Sequence, residues 1–273
     1  MQTEIETHTP TVTQPPAPAP AHPHPADGAR PRLPAGAAGA AVGRSGTAHS
    51  RTVYYVTKRG VDLVLSAIAL LLLLPFLLLL GLLIRLDSPG PVIYRQTRVG
   101  ARRVAGRWQR SDFTFFKLRT MRPDADPALH QAYVHALIHD DTAGMAALQG
   151  RDEAGGVHKL VHDPRITRIG RFLRKYSLDE LPQFFNVLRG DMSLVGPRPA
   201  MPYEVADYQP WMLERLQAAP GITGLQQITA RCTVDFAAQV RLDLAYIERQ
   251  TLWLDMVILL KTPLAVLRAE GAC

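Results

Sequence analysis

The chain has 273 residues, 47% of them hydrophobic, and its 31 Lys and Arg outnumber 24 Asp and Glu for a formal charge of +7. That balance points to anionic partners: nucleic acid, lipid head groups or phosphorylated substrates. The two cysteines, Cys232 and Cys273, have neither metal-ligand nor framework spacing, which speaks for reduced cytosolic thiols and against a disulfide-stapled secreted scaffold.

In chain order, residues 1–50 come first as a Pro/Ala-rich stretch, "TQPPAPAPAHPHPADGARPRLPAGAAGAAVG". Such a composition cannot bury enough apolar surface to offset the entropy of ordering, so a disordered tail is expected there. No apolar core follows a basic start, so a secretory signal is not expected and the N-terminus is expected to stay cytosolic.

Residues 51–86 form the membrane-inserted part, and 63–84 are apolar without a charge for about 22 residues, enough to cross a hydrocarbon core of roughly 30 Å. Pro75, in "LLLLPFLLLL", removes one helical hydrogen bond and crowds the carbonyl of Leu71, so a kink is expected. Each arm of about 10 to 12 residues is then too short to cross alone. Two outcomes stand open on physics alone: a kinked spanning helix, or a re-entrant hairpin. Lys58 and Arg59 before the segment, and Arg85, Arg95, Arg98, Arg102, Arg103, Arg107 and Arg110 at or beyond its exit, make both ends look cytoplasmic.

The remainder, 87–273, is long enough for one catalytic domain. "DSPGPVIYRQTRVG" reads as a turn followed by a short strand at 92–94. "FTFFKLRTM" (113–121) is a second strand, with Lys117 and Arg119 on a shared face. An Ala-rich helix is expected over 129–148 within an insert at 123–160. Its His130, His135 and His139 recur at helical spacing without a matching ligand cluster, so they read as exposed histidines.

"DPRITRIGRFLRKYSLDELPQFFNVLRGDMSLVGPRP" (163–199) carries the most chemistry. Ile166, Ile169 and Leu173 make an apolar stripe while Arg165, Arg168, Arg171, Arg174 and Lys175 dress the other faces, a basic amphipathic helix suited to a membrane interface. A second helix follows, with Leu181, Phe184, Phe185 and Leu188 on one face and Gly190 as its stop. Either a Ser177–Glu180 capping box opens it, or a start near Asp179 puts Pro182 in the first turn. Both place Asp179 and Glu180 at the positive helix end, where an ionised carboxylate is a hard ligand for Mg²⁺ and a candidate nucleophile. Arg198, fixed between two prolines, can aim a guanidinium fork at a phosphate.

These segments, with "KRGVDLVLS", "PGITGLQQI" and "RLDLAYIERQTLWLDMVILLKT", occur in the order and at the spacing of the bacterial sugar transferases, the monotopic polyprenol-phosphate phosphoglycosyl transferases, which the chain resembles from the tail onward. The resemblance implies a mostly helical α/β monotopic membrane protein: a proline-broken re-entrant helix, and a catalytic domain with interfacial amphipathic helices, 252–267 among them. It implies transfer of a hexose 1-phosphate from a UDP-sugar to undecaprenyl phosphate with release of UMP, the first membrane step of exopolysaccharide or O-antigen synthesis. Asp179 would be the nucleophile and Mg²⁺ ligand, Glu180 its neighbour in orienting the site or managing a proton. Arg174 and Arg198 match phosphate-holding arginines; Lys117 and Arg119 are weaker candidates for that role.

The expected partners are UDP-sugar, undecaprenyl phosphate and membrane lipids, at the bacterial inner membrane with the domain on the cytoplasmic face. A homo-oligomer, or contact with later glycosyltransferases, stays open. In larger relatives a helical bundle and a further domain precede this part; here only the tail does. Two departures from the family pattern are Leu74, where relatives often carry Ser, and Gln226, where Trp is common at a position able to touch sugar, nucleotide or membrane. A membrane-anchored scaffold is the alternative reading, opposed by the intact Asp179, Glu180 and Arg198. A nucleic-acid binder is a third, opposed by the membrane segment and by the lack of a groove-reading motif.

Overall fold

In the computed structural model the described residues are 48–122, 128–149, 165–230 and 234–268. The expected disordered tail lies almost wholly outside them, as do 123–127 and 150–160 of the insert.

Helix α1 runs from Ala48 to Asp87, and Pro75 lies inside it without interrupting the helical run. It is long and apolar enough to cross a membrane, and only 11% of its most apolar window is buried against the rest of the protein. Its ends behave differently from its middle. Lys58, Asp62 and Ser66, spaced four apart on one face, are buried, as are Leu80 and Ile84, while Leu71, Leu72, Leu78 and Leu79 are exposed. Arg59 donates to the last carbonyls of a later helix, those of Val187 and Leu188, at 2.6 and 3.0 Å.

Strands β1 (Ile93–Val104) and β2 (Arg107–Leu118) pair antiparallel as one long hairpin. The expected short strand at 92–94 is therefore only the start of a 12-residue one. Ala105 and Gly106, both at positive φ, form the two-residue turn, whose twist matches that of the flanking strands. Phe113 and Phe115 alternate into the core and pack with Val187, Leu194 and Ile258.

The insert holds two helices where one was expected, α2 (Ala128–Ile138) and α3 (Thr142–Gln149), separated at Asp140, whose φ is positive. Helix α4 (Arg168–Lys175) is the foreseen basic amphipathic helix. Thr167 caps it by accepting from Gly170 N, and Leu173 is fully buried beside Leu80, Ile84 and Leu118.

After the 3₁₀ turn Leu178–Glu180, helix α5 (Gln183–Arg189) ends at Gly190 in the left-handed conformation, as its sequence requires. Its buried face corrects the sequence reading: Gln183, Asn186 and Val187 are inside, whereas Phe185 is half exposed. The reason is polar. Asn186 accepts from Phe116 N and donates to Thr114 O, pairing the free edge of β2 through a side chain.

A parallel pair follows, β3 (Ser193–Val195) with β4 (Gly221–Thr223). Between them lie α6 (Pro202–Ala206) and a 3₁₀ helix Pro210–Gln217. Helices α7 (Leu225–Thr229), α8 (Phe236–Glu248) and α9 (Leu252–Arg268) complete the fold. Two buried polar junctions hold the layers. Arg215 and Asp243 pair at 2.7 Å. Asp255 of α9 takes Lys58 and Tyr54 from α1 and Tyr246 from α8, whose hydroxyl also reaches Val195 O at 3.1 Å. Trp253, Met256, Leu260, Leu264 and Leu267 form an exposed apolar stripe along α9.

Candidate active site

Asp179 sits in the 3₁₀ turn directly after Ser177, a non-glycine residue held at φ 54°. No side-chain cap bond forms at Ser177, and Pro182 stands at the N-cap of α5. Neither expected helix start is therefore adopted: the acidic pair belongs to a separate turn in front of α5. Asp179 is buried and Glu180 half-buried. Lys117, near the end of β2, places its Nζ 2.9 Å from Asp179 Oδ2 and 3.8 Å from Glu180 Oε1. Two adjacent carboxylates thus converge on one cation, which gives the buried one an ion-pair partner.

Lys117 and Arg119 do not act together. Arg119 lies just past β2, buried, and donates to Ser88 O, Pro89 O and Ile84 O at 2.5, 2.6 and 3.4 Å. Its guanidinium is spent on the chain leaving α1, so it is a clamp for the membrane helix.

Arg198 is exposed between buried Pro197 and Pro199, and its backbone is fixed from behind. Arg98 donates to Pro199 O, Arg215 to Arg198 O, and Val99 N to Ala200 O, which lays the segment along β1. Arg174 is placed by an equally tight contact. Its Nε donates to Thr120 Oγ1 at 3.0 Å, and α4 approaches so closely that a Cβ on Gly170 would lie 2.1 Å from Thr120 O.

The electrostatics gather these arginines around one residue. His130, from the insert, has its pKa lowered to about 4, first by burial and then by the fields of Arg98, Arg198, Arg165 and Arg174. It is neutral at pH 7, with Nδ1 2.8 Å from Tyr203 Oη. The Tyr203 hydroxyl is pushed up to about 12, mainly by burial. Burial lowers the Arg98 guanidinium, with Glu204 and, more weakly, Glu180 acting in the opposite sense, so Arg98 feels both the arginine group and the acidic pair. Its Nε has no hydrogen-bond partner among the described residues. Glu204 and Glu180 partly offset the charge at Arg98, and a guanidinium fork such as the exposed one of Arg198 fits a phosphate.

Sequence reasoning singled out Arg174 and Arg198 but counted Arg98 only as a positive flank and His130 only as surface. Tyr203 went unnoticed. The periodicity of β1 carries no signal for Arg98, because the strand buries four residues in a row, 98–101. Gln226 is buried and donates to Gln239 of α8 at 3.3 Å.

A helix long and apolar enough to cross a membrane, joined to a domain that pairs a buried Asp179 with Lys117 and carries an exposed Arg198, has the features of a membrane-associated protein that handles phosphate. More narrowly, the chain belongs to the bacterial sugar transferase family, whose model it matches over residues 53–269. It is 41% identical over 215 residues to the undecaprenyl-phosphate galactose phosphotransferase of Salmonella typhimurium, covering 79% of this chain and 41% of that one. It is 37% identical over 237 residues to the UDP-glucose:undecaprenyl-phosphate glucose-1-phosphate transferase of Caulobacter vibrioides, covering 84% and 76%. With the exopolysaccharide production protein ExoY of Rhizobium meliloti it shares 36% identity over 222 residues, 81% of this chain and 90% of ExoY. The chain spans less than half the length of several curated relatives that it matches.

Proposed function

We propose that this protein transfers a hexose 1-phosphate from a UDP-sugar to undecaprenyl phosphate in two displacements on Asp179. The names of the Salmonella and Caulobacter relatives support the reaction class. The observation that carries the assignment of roles is the buried Asp179 carboxylate, paired with Lys117, beside a Glu180 whose field reaches Arg98 together with that of Arg198.

In the first displacement an Asp179 oxygen forms a bond to the β-phosphorus of the donor. The bridging P–O bond breaks, and its electron pair leaves on UMP. In the second, a phosphate oxygen of the lipid carrier attacks that phosphorus and returns the carboxylate to Asp179. Arg174 and Arg198 hold donor phosphate oxygens, and Arg98 braces the backbone under Arg198. Lys117 holds the Asp179 carboxylate in place and steadies Glu180, which orients the site. The donor set fits Mg²⁺, since two neighbouring carboxylates that already share one cation are the hard oxygen ligands this ion takes alongside substrate phosphates. When bound, Mg²⁺ would neutralise charge on the diphosphate.

The re-entrant reading of α1 rests on its two fastened ends. Lys58, Arg59 and Asp62 at one end and Leu80, Ile84 and the Arg119 clamp at the other all hold the same domain. The exposed apolar stretch around Pro75 lies between them. Both ends on one face, with the apolar stripe of α9 resting on lipid, is the arrangement of a monotopic protein on the cytoplasmic side of the inner membrane.

The test is UMP release by the detergent-solubilised protein with Mg²⁺, undecaprenyl phosphate and a panel of UDP-sugars, beside Asp179→Asn. Release with one donor, lost in the variant, is expected. Wild-type activity retained by Asp179→Asn would overturn the nucleophile, and no release with any donor and no covalent labelling of Asp179 would favour a scaffold.

A further inference from the structure

Away from the acidic pair, one group of side chains among the described residues has the donors of a metal site and no part in the proposed reaction. His135 and His139, four apart at the end of α2, lie on one face with ring centroids 4.4 Å apart. Asp207, the C-cap of α6, brings its Oδ2 to 2.8 Å from His135 Nδ1. One donor atom from each of the three lies within 4.8 Å of the others.

We propose that His135, His139 and Asp207 form a site for a divalent transition ion of the zinc class that ties α2 of the insert to α6 of the domain. Two neutral imidazole nitrogens and one carboxylate oxygen favour such an ion over Mg²⁺ or Ca²⁺, which take oxygen ligands. Three protein ligands leave a fourth position, and the exposure of both histidines opens it to water. A plain His135–Asp207 ion pair accounts for two of the three residues. It leaves the third unexplained: the His139 side chain makes no hydrogen bond or ion pair among the described residues, yet its ring is held against His135.

The site's position gives it a consequence. Helices α2 and α6 are laced by two side-chain bonds, His135 to Asp207 outside and His130 to Tyr203 inside. The inner bond faces the arginines. An ion at the outer bond fixes the seam between the helices and, with it, the placement of His130 and Tyr203.

The full chain in detergent is titrated with Co²⁺ as a visible-absorbing probe and then with Zn²⁺ in competition. One Co²⁺ per chain, displaced by Zn²⁺, is expected. His135→Ala, His139→Ala and Asp207→Asn should each weaken Co²⁺ binding by about tenfold or more, since loss of a ligand exceeds the cost of losing an outer partner. Asp179→Asn should bind Co²⁺ as the wild type does, which separates this site from the acidic pair. His139 is exposed, so His139→Ala keeps the fold and its Mg²⁺-supported UMP release without added transition metal. Undiminished Co²⁺ affinity in His139→Ala, loss of binding in Asp179→Asn, or no Co²⁺ or Zn²⁺ bound by the wild type would each overturn the proposal.

Discussion

Gly170→Ala tests how Arg174 is positioned. The added Cβ would stand 2.1 Å from Thr120 O and 2.8 Å from Thr120 C, both backbone atoms that cannot swing aside. To reach even 3.0 Å, the closest approach a Cβ tolerates, α4 must recede from the end of β2 by about 0.9 Å. Overpacking of this kind costs about 1–3 kcal/mol. Alanine's better helix propensity returns about 1 kcal/mol, leaving a net loss of at most about 2 kcal/mol. At about 2–4 °C per kcal/mol for a domain of this size, the midpoint of thermal unfolding in detergent should fall by a few degrees. Activity should suffer more than stability. The Arg174 Nε–Thr120 Oγ1 bond of 3.0 Å cannot survive a shift of that size, and misplacement by about 1 Å can cost about a hundredfold in rate. The assay is kcat/KM for UMP release beside thermal unfolding, with Gly60→Ala as the matched control, since a Cβ there meets nothing within 4 Å. A Gly170→Ala protein with wild-type midpoint and wild-type kcat/KM would refute the contact and the role drawn from it.

Lys117→Met should leave Asp179 buried without its cation, costing about 3 kcal/mol in stability, with activity partly restored by raising Mg²⁺; unchanged unfolding would refute the pairing. Arg119→Ala should lower the unfolding midpoint while leaving KM for the donor unchanged in the folded fraction, because Arg119 holds α1 and not phosphate; a raised KM would return it to the substrate site. The His130 pKa falls on folding from 6.5 to about 4, so the unfolded chain binds the proton that the folded one refuses. Its contribution to stability is therefore complete above pH 6.5 and is lost as pH falls toward 4, by at most about 3 kcal/mol. His130→Asn should flatten denaturant midpoints over that window, and an unchanged slope would refute the shift.

The helices with regular patterns were the legible part of this fold. The stripe of Ile169 and Leu173 and the arginines around it announce α4, and Gly190 announces the end of α5, because both signals are local. The β1–β2 hairpin was half hidden. Its second half of β1 and first half of β2 are rich in arginine, which reads as a membrane flank, and its turn is Ala-Gly where Asn-Gly would have been plain. The inward face of α5 was misjudged for a different reason. Asn186 is buried because the edge of β2 needs a partner, a demand that is set 70 and 72 residues away along the chain and leaves no trace in the periodicity of α5. The same holds for Arg119, whose carbonyl partners on α1 are fixed only by tertiary structure. Asp179, Arg174 and Arg198 were legible because their neighbours along the chain carry the pattern. His130 and Tyr203 reach the arginines from two separate helices and leave no such local mark.

The attachment of α1 bears on how a newly made chain matures. Leu80 and Ile84 cover Leu118 and Leu173, Asp62 accepts from Leu194 N, and Asp255 draws Lys58 and Tyr54 from the same helix. A chain emerging from the ribosome cannot finish that interior until α1 has docked on the domain, and molecules in which it has not docked present an unfinished interior to proteases. For the same reason, trimming α1 to obtain a water-soluble fragment would remove a wall of the domain along with its anchor.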